Sequence, residues 1–174
     1  MQEQDIYGKY GVYLPKILDD LSQRIQEAND RVKQETGQKL FEHFNARIKQ
    51  AASMEEKCQR KNLPRTPESA LKEIRDAIGI RIVCGFIEDI YQTIEVLRQL
   101  EGCEIVLEKD YIRAAKPNGY RSYHLILEVE TPYEDCHGQK PGRYFVEIQL
   151  RTIAMDSWAS LEHQMKYKHE IKDS

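Results

Sequence analysis

The stretch Phe145-Val146-Glu147-Ile148-Gln149-Leu150-Arg151-Thr152 alternates so regularly that it constrains the fold more than any other part of the chain. At a period of two, Tyr144, Val146, Ile148 and Leu150 point to one side of a strand, and Phe145, Glu147, Gln149 and Arg151 to the other. The first row is a core face. The second row sets an acid, an amide and a guanidinium at strand spacing, a combination that can hold a metal ion and hydrogen-bond phosphate oxygens together. A solvated sheet face of mixed charge has the same pattern, so the strand by itself leaves both readings open.

The rest of the chain supplies what such a strand needs in order to be buried on one side. At 174 residues it is long enough for one domain with a substantial core and too short for two ordinary ones. Its 40% apolar and 32% charged content is that of a soluble globular protein, and no stretch approaches the roughly 18 apolar residues of a membrane span. The first residues, Met1-Gln2-Glu3-Gln4-Asp5, lack the basic-then-apolar order of a secretory signal, and the expected compartment is the cytosol. Cys58, Cys84, Cys103 and Cys136 are scattered without metal-ligand spacing and are read as reduced, structural thiols. A net charge of −3 argues against a surface that grips nucleic acid everywhere. Yet Arg47, Lys49, Lys57, Arg60, Lys61 and Arg65 face only Glu55 and Glu56 in the same segment, a local anion site suited to a small polyphosphate.

Ile17, Leu21, Ile25, Ala28 and Val32 recur at helical spacing from Pro15 onward, and Gly37 interrupts that helix. A basic helix is predicted over 53–61, before Pro64 and Pro67, followed by a helical turn or two over 69–74. Ile78 to Cys84 is β-branched and alternating, which places Asp76 at a strand entrance. A helix through Ile90, Ile94, Leu97 and Leu100 ends at Gly102, and strands are predicted over 104–113 and 123–130. Lys116-Pro117-Asn118-Gly119 is a turn, since proline presets the first φ and Asn-Gly supplies positive φ. The strand at 123–130 and the Glu147 strand, joined by a loop with glycine and proline, form an antiparallel hairpin. A helix over 153–168 with Trp158, Leu161 and Met165 on one face closes the chain. No internal repeat is present, and the fold class is α+β, a mixed sheet of about five strands flanked by helices.

Five blocks in order match one pattern: Arg47-x-Lys49; Ser53 with Lys57; Asp76-x-x-Gly79-Ile80-Arg81; Lys116-Pro117-Asn118-Gly119-Tyr120-Arg121-Ser122-Tyr123-His124; and Val146 to Thr152. Together they resemble the synthetase domain of the RelA/SpoT family, and among its members the single-domain small alarmone synthetases. The resemblance implies a nucleotidyltransferase-like fold, with an N-terminal helical segment over 1–40 and the synthetase domain over 41–174 in one globular unit. It also implies transfer of pyrophosphate from ATP to the 3′-hydroxyl of GTP or GDP, giving pppGpp or ppGpp and AMP.

On the same basis Asp76 and Glu147 are expected to coordinate Mg²⁺, with Glu147 also accepting the proton of the attacking hydroxyl. Arg47, Lys49 and Lys57 resemble the ATP-phosphate ligands, Arg60 and Lys61 extend that patch, and Arg81 and Arg151 add neutralising charge. Tyr120 resembles the residue that stacks on guanine, with Lys116, Asn118 and Gln149 holding the acceptor nucleotide. His124 is read either as a phosphate ligand or as a satisfied structural histidine. Ala46 stands where small members often carry glycine, which bears on how closely phosphate approaches there. No His-Asp dipeptide occurs, so the metal-dependent hydrolase site of the long bifunctional members is not expected.

A homo-oligomer is a further candidate state, although the helices through which small members assemble continue beyond Ser174. Two alternatives stand beside it: a toxin-like member that modifies an adenosine nucleotide or the 3′ end of tRNA, aided by Lys166, Lys168 and Lys172, and an inactive nucleotide- or RNA-binding module. The two acids Asp76 and Glu147 weigh against the last, because simple anion binding gains nothing from carboxylates in the site.

Overall fold

The computed structural model describes residues 4–117, 119 and 121–173, with side chains of the final helix as far as Met165. A 3₁₀ turn, Gly8–Tyr13, leads into α1 (Leu14–Thr36), β1 (His43–Ile48) and α2 (Ala51–Arg60). A π-helical turn, Ser69–Glu73, precedes β2 (Ile78–Cys84), and α3 (Ile87–Arg98), β3 (Cys103–Asp110), β4 (Tyr123–Thr131), β5 (Gly142–Thr152) and α4 (Ile153–Asp173) follow. The strands form one sheet in the order β1-β2-β5-β4-β3, parallel between β2 and β5 and antiparallel elsewhere. This is the mixed five-stranded sheet with flanking helices of the expected α+β class.

The period-two rows decide which face is dry. Tyr144, Val146, Ile148 and Leu150 of β5 are buried, as are Ile78, Ile80, Ile82 and Cys84 of β2 and Tyr123, Leu125, Leu127 and Val129 of β4. Onto this face α1 lays Ile17, Leu18, Leu21 and Ile25, and α3 adds Ile90, Ile94 and Leu97, so all belong to one core. Each large aliphatic side chain removed from water contributes on the order of 1.5–3 kcal/mol. Pro15 sits in the first turn of α1, where its missing N–H has no intrahelical role. Gly37 ends the helix at φ +76°, its N–H donating to the Lys33 carbonyl at 2.8 Å. Among the described residues no helix is long and apolar enough to cross a membrane.

Several elements depart from the sequence reading. β1 was not anticipated, although Phe44, Ala46 and Ile48 alternate with His43, Asn45 and Arg47. With six residues it has little strand signal of its own and is fixed by antiparallel pairing to β2. β3 stops at Asp110 and does not reach Arg113. The Asp110 carboxylate accepts the Ile112 and Arg113 N–H groups at 2.9 and 3.0 Å and the Tyr91 hydroxyl at 2.8 Å, a local turn that outcompetes the ladder. α2 starts at Ala51, ahead of the predicted position 53, and α4 continues past 168 to Asp173. The β4–β5 connection is antiparallel as expected. Buried Asp135 organises it by accepting the N–H groups of His137, Gln139 and Arg143 at 2.9, 3.2 and 2.9 Å. Gly142 is required there because a Cβ would collide with the Tyr133 carbonyl oxygen.

Asn29 ties α1 to the sheet. Its buried side chain accepts the Leu40 and Phe41 N–H groups at 2.6 and 3.3 Å and donates to the Phe41 carbonyl at 3.2 Å, satisfying a dry connector. Asn29→Ala is therefore expected to lower unfolding free energy by about 2–3 kcal/mol. A urea midpoint that falls at unchanged slope would show it, and an unchanged midpoint would contradict it.

Candidate functional site

The face of the sheet opposite the core carries the polar rows, and strand register aligns them. Across the sheet, Arg47 of β1 is opposite Gly79 of β2, Gly79 is beside Glu147 of β5, and Glu147 is opposite Ile126 of β4. Two residues along runs a second row, Asn45, Arg81, Gln149, His124 and Lys109. A cleft of about 250 Å³ opens over these rows, lined by Asn45, Arg47, Gly79, Arg81, Glu147 and Gln149. Asn45 was not singled out in the sequence, and the alternation of β1 is the signal that would have found it. Gly79 leaves the floor open between Arg47 and Glu147. A Cβ there would make only ordinary contacts, 3.9 Å from Arg47, but a longer side chain would project into the space.

The polar row of β5 is internally connected. Gln149 Nε2 donates to Glu147 Oε1 at 2.8 Å, and Arg151 donates to Gln149 Oε1 at a longer 3.5 Å. Arg151, itself buried, also pairs with Asp156 at the start of α4 at 3.5 Å. The amide therefore relays the orientation of a guanidinium to the carboxylate. Beside them His124 is half-buried and meets the Tyr111 ring edge-on, centroids 5.4 Å apart, while the Lys116 ammonium lies over the same ring, 4.7 Å from its centroid. Burial lowers the His124 pKa, opposed by the Glu147 charge and reinforced by Lys116, Arg151 and Lys109. The ring is neutral at pH 7 and offers one donor and one acceptor. Tyr111 was not anticipated; only its contacts identify it.

At the entrance of β2, Asp76 Oδ2 accepts both Lys49 Nζ at 2.8 Å and Lys57 Nζ at 2.7 Å. Lys49 follows the end of β1 and Lys57 lies in the last turn of α2, so three elements converge on one carboxylate. Burial would raise the Asp76 pKa, but the hydrogen bonds and charges of the two lysines outweigh it and hold the group below the usual carboxylate range. Asp76 Oδ1 is buried without a hydrogen-bond partner. Such an orphaned hard oxygen suits a cation such as Mg²⁺; Glu147, the second expected ligand, lies on the cleft wall and not in this cluster.

The structure thus brings Arg47, Arg81, Glu147 and Gln149 to one cleft, and Lys49, Lys57 and Asp76 to one ion cluster. It does not gather Arg60 and Lys61 with them. Arg60 is 68% exposed and 3.9 Å from Glu56, and Lys61 at the C-cap of α2 is exposed, because both lie one turn beyond Lys57, at the end of the helix past its contact with Asp76. Asn118 and Tyr120 lie outside the described residues. Gly119 between them has φ +82° and donates to the Lys116 carbonyl at 2.8 Å, as the expected turn requires.

Because the Asp76 pKa is lower folded than unfolded, its stabilisation is complete above about pH 4 and is lost as pH falls through the lower folded value. Asp76→Asn is expected to be less stable than the wild type at pH 7 and to lose less stability between about pH 5 and pH 2. Urea unfolding across that range tests this, and parallel pH profiles would refute it.

Known proteins resemble this chain over most of its length. Residues 46–172 match a family model described as "Region found in RelA / SpoT proteins". The chain is 45% identical over 132 residues to the GTP pyrophosphokinase YwaC of Bacillus subtilis, covering 76% of this chain and 61% of that protein. It thus spans less than two thirds of that relative's length. It is 34% identical over 154 residues to the GTP pyrophosphokinase YjbM of the same organism, covering 88% of this chain and 70% of YjbM. The crystal structure of small alarmone synthetase 1 from Bacillus subtilis, bound to its product pppGpp, superimposes with TM-score 0.76 at 32% identity, covering 93% of this chain and 80% of that one. Small alarmone synthetase 2 from the same organism gives TM-score 0.74 at 39% identity, covering 91% and 79%. With the family match spanning most of the chain and the same fold in its solved relatives, this chain belongs to the RelA/SpoT family.

Proposed function

We propose that this chain is an ATP:guanosine-nucleotide 3′-pyrophosphokinase, transferring the β,γ-pyrophosphoryl group of ATP to GTP or GDP to give pppGpp or ppGpp. The observation that carries the reading is the cleft row Arg47–Gly79–Glu147, cation, open floor and carboxylate in register across three strands. Relatives named GTP pyrophosphokinase, and synthetase structures bound to pppGpp and to AMPCPP, support it.

In the proposed reaction the acceptor's 3′-oxygen forms a bond to the β-phosphorus of ATP, and the bond from that phosphorus to the α–β bridging oxygen breaks. AMP leaves with the bridging oxygen, and the hydroxyl proton passes to Glu147. Gln149 holds the accepting carboxylate in orientation through its 2.8 Å bond. Asp76 and Glu147 would hold Mg²⁺, whose role is to neutralise the gathering phosphate oxygens. Lys49 and Lys57, two cations on one carboxylate, have charge to spare for donor phosphates, while Arg47 and Arg81 border the cleft as further donor-side cations. Lys116, neutral His124 and Arg151 serve the acceptor, with Asn118 and Tyr120 assigned to it by resemblance. Beside that loop, Gly119, Arg121 and the α4 residues Met155 and Trp158 line a hollow of about 300 Å³ with an apolar wall suited to a flat base.

The deciding assay offers GDP, GTP, ADP or deacylated tRNA separately with Mg²⁺ and γ-labelled ATP. Label in ppGpp or pppGpp with equal AMP supports the reading, and label confined to ADP products or tRNA replaces the acceptor. Glu147→Gln is expected to lower turnover at least about a hundredfold, the scale for losing a base or metal ligand; near-normal turnover would remove Glu147 from the chemistry. Gly79→Val is expected to fold normally and weaken nucleotide binding by about tenfold or more, since added branches enter the cleft. Calorimetric titration of the folded variant decides this, and wild-type affinity would show that the cleft is not the nucleotide site.

A further inference from the structure

Lys49 occupies the two-residue junction between β1 and α2, and its main chain is held on both sides. Its N–H donates to the Ala77 carbonyl at 2.8 Å, next to Asp76. Its carbonyl accepts the hydroxyl of Tyr7 at 2.6 Å, across 42 residues of sequence. Tyr7 lies ahead of the region matched by the family, which starts at residue 46. Its ring is 4% exposed within the core, and its own N–H donates to Asp5 Oδ1 at 2.9 Å. Burial, and then the negative charge of Asp76, push the phenol well above its ordinary pKa, so it is a permanent donor.

Packing does not lock this junction from outside. A groove of about 370 Å³ runs alongside, bordered by Tyr7, Gly8, Ile48, Lys49, Gln50 and Ala51. The main chain at Lys49 has room to shift, and the Tyr7 bond opposes that shift. A displaced junction would carry the Lys49 ammonium away from Asp76, to which it now donates at 2.8 Å. Small displacements of a phosphate-binding cation weaken charge-assisted bonds steeply.

We propose that Tyr7 is a positioning residue, its hydroxyl setting the place of Lys49 against Asp76 at the donor-phosphate end of the site. The inference rests on the pyrophosphokinase reading and extends its machinery to the N-terminal segment. Tyr7 does not line the cleft over Glu147.

The test is calorimetric titration of the full chain with Mg²⁺ and the α,β-methylene analogue of ATP, and separately with GDP, in wild type, Tyr7→Phe and Tyr144→Phe. Tyr144 is a matched control, a buried tyrosine whose hydroxyl donates to the Glu134 carbonyl at 2.5 Å in the β4–β5 connection. Tyr7→Phe is expected to weaken the ATP analogue about five- to tenfold, the scale of one hydrogen bond, and to leave GDP affinity unchanged. Tyr144→Phe should leave both unchanged. Asp5→Ala, at an exposed residue, releases Tyr7 without opening the core and should weaken the analogue in the same direction; it carries the test if Tyr7→Phe does not fold. Unchanged analogue affinity in the folded Tyr7 and Asp5 variants overturns the proposal, as does equal weakening in Tyr144→Phe. A folded wild type that binds no ATP analogue would instead overturn the pyrophosphokinase reading and this inference with it.

Discussion

The parallel pairing of β2 with β5 is the constraint on which the site depends. It sets Gly79 beside Glu147 and Arg81 beside Gln149, and it places the entrance of β2, with Asp76, at the same end of the sheet as the acidic residue of β5. A one-residue slip would turn the polar row of β5 into the core and expose Val146, Ile148 and Leu150. The burial of those three side chains therefore fixes the position of Glu147 as firmly as any polar contact around it. Hydrophobic packing on one face specifies the chemistry on the other.

Electrostatics then divides the polar face into two regions. Around Asp76 there are two cations and one acid, an arrangement with surplus positive charge at the mouth of β2. Around Glu147 the carboxylate is oriented by an amide, which is in turn contacted by a guanidinium anchored to α4. The first region leaves positive charge unbalanced, and the second keeps one carboxylate steady. Charge-assisted bonds in a partly buried setting are strong enough to preorganise both without substrate.

The N-terminal segment takes part in this preorganisation. Ile6, Tyr7 and the apolar face of α1 belong to the same core as the sheet, and Asn29 closes the backbone of the connector between α1 and β1. The segment thus supports β1 from behind while the Tyr7 hydroxyl reaches the lysine just past its end.

Much of this was legible in the residues themselves. The alternation of β5 and β2, the helical spacing of α1 and the Asn-Gly turn follow from local sterics and the separation of apolar from polar side chains, which sequence records directly. β1 was not legible, since six residues with weak propensity become a strand only when a neighbour supplies hydrogen bonds. The early end of β3 depended on competition between the Asp110 side chain and the ladder. Nor could spacing separate Lys57 from Arg60 and Lys61, because the three share a helical face and differ by which turn of α2 lies against Asp76. By itself the sequence determined the element types, the dry face of each strand and the identity of the acids and bases available, all consequences of short-range order. Only the tertiary structure decided which of them meet: the partners of Asp76, the Gln149 link to Glu147 and the reach of Tyr7 to Lys49 join residues through strand register and helix packing, and those long-range contacts leave no periodic mark on the chain.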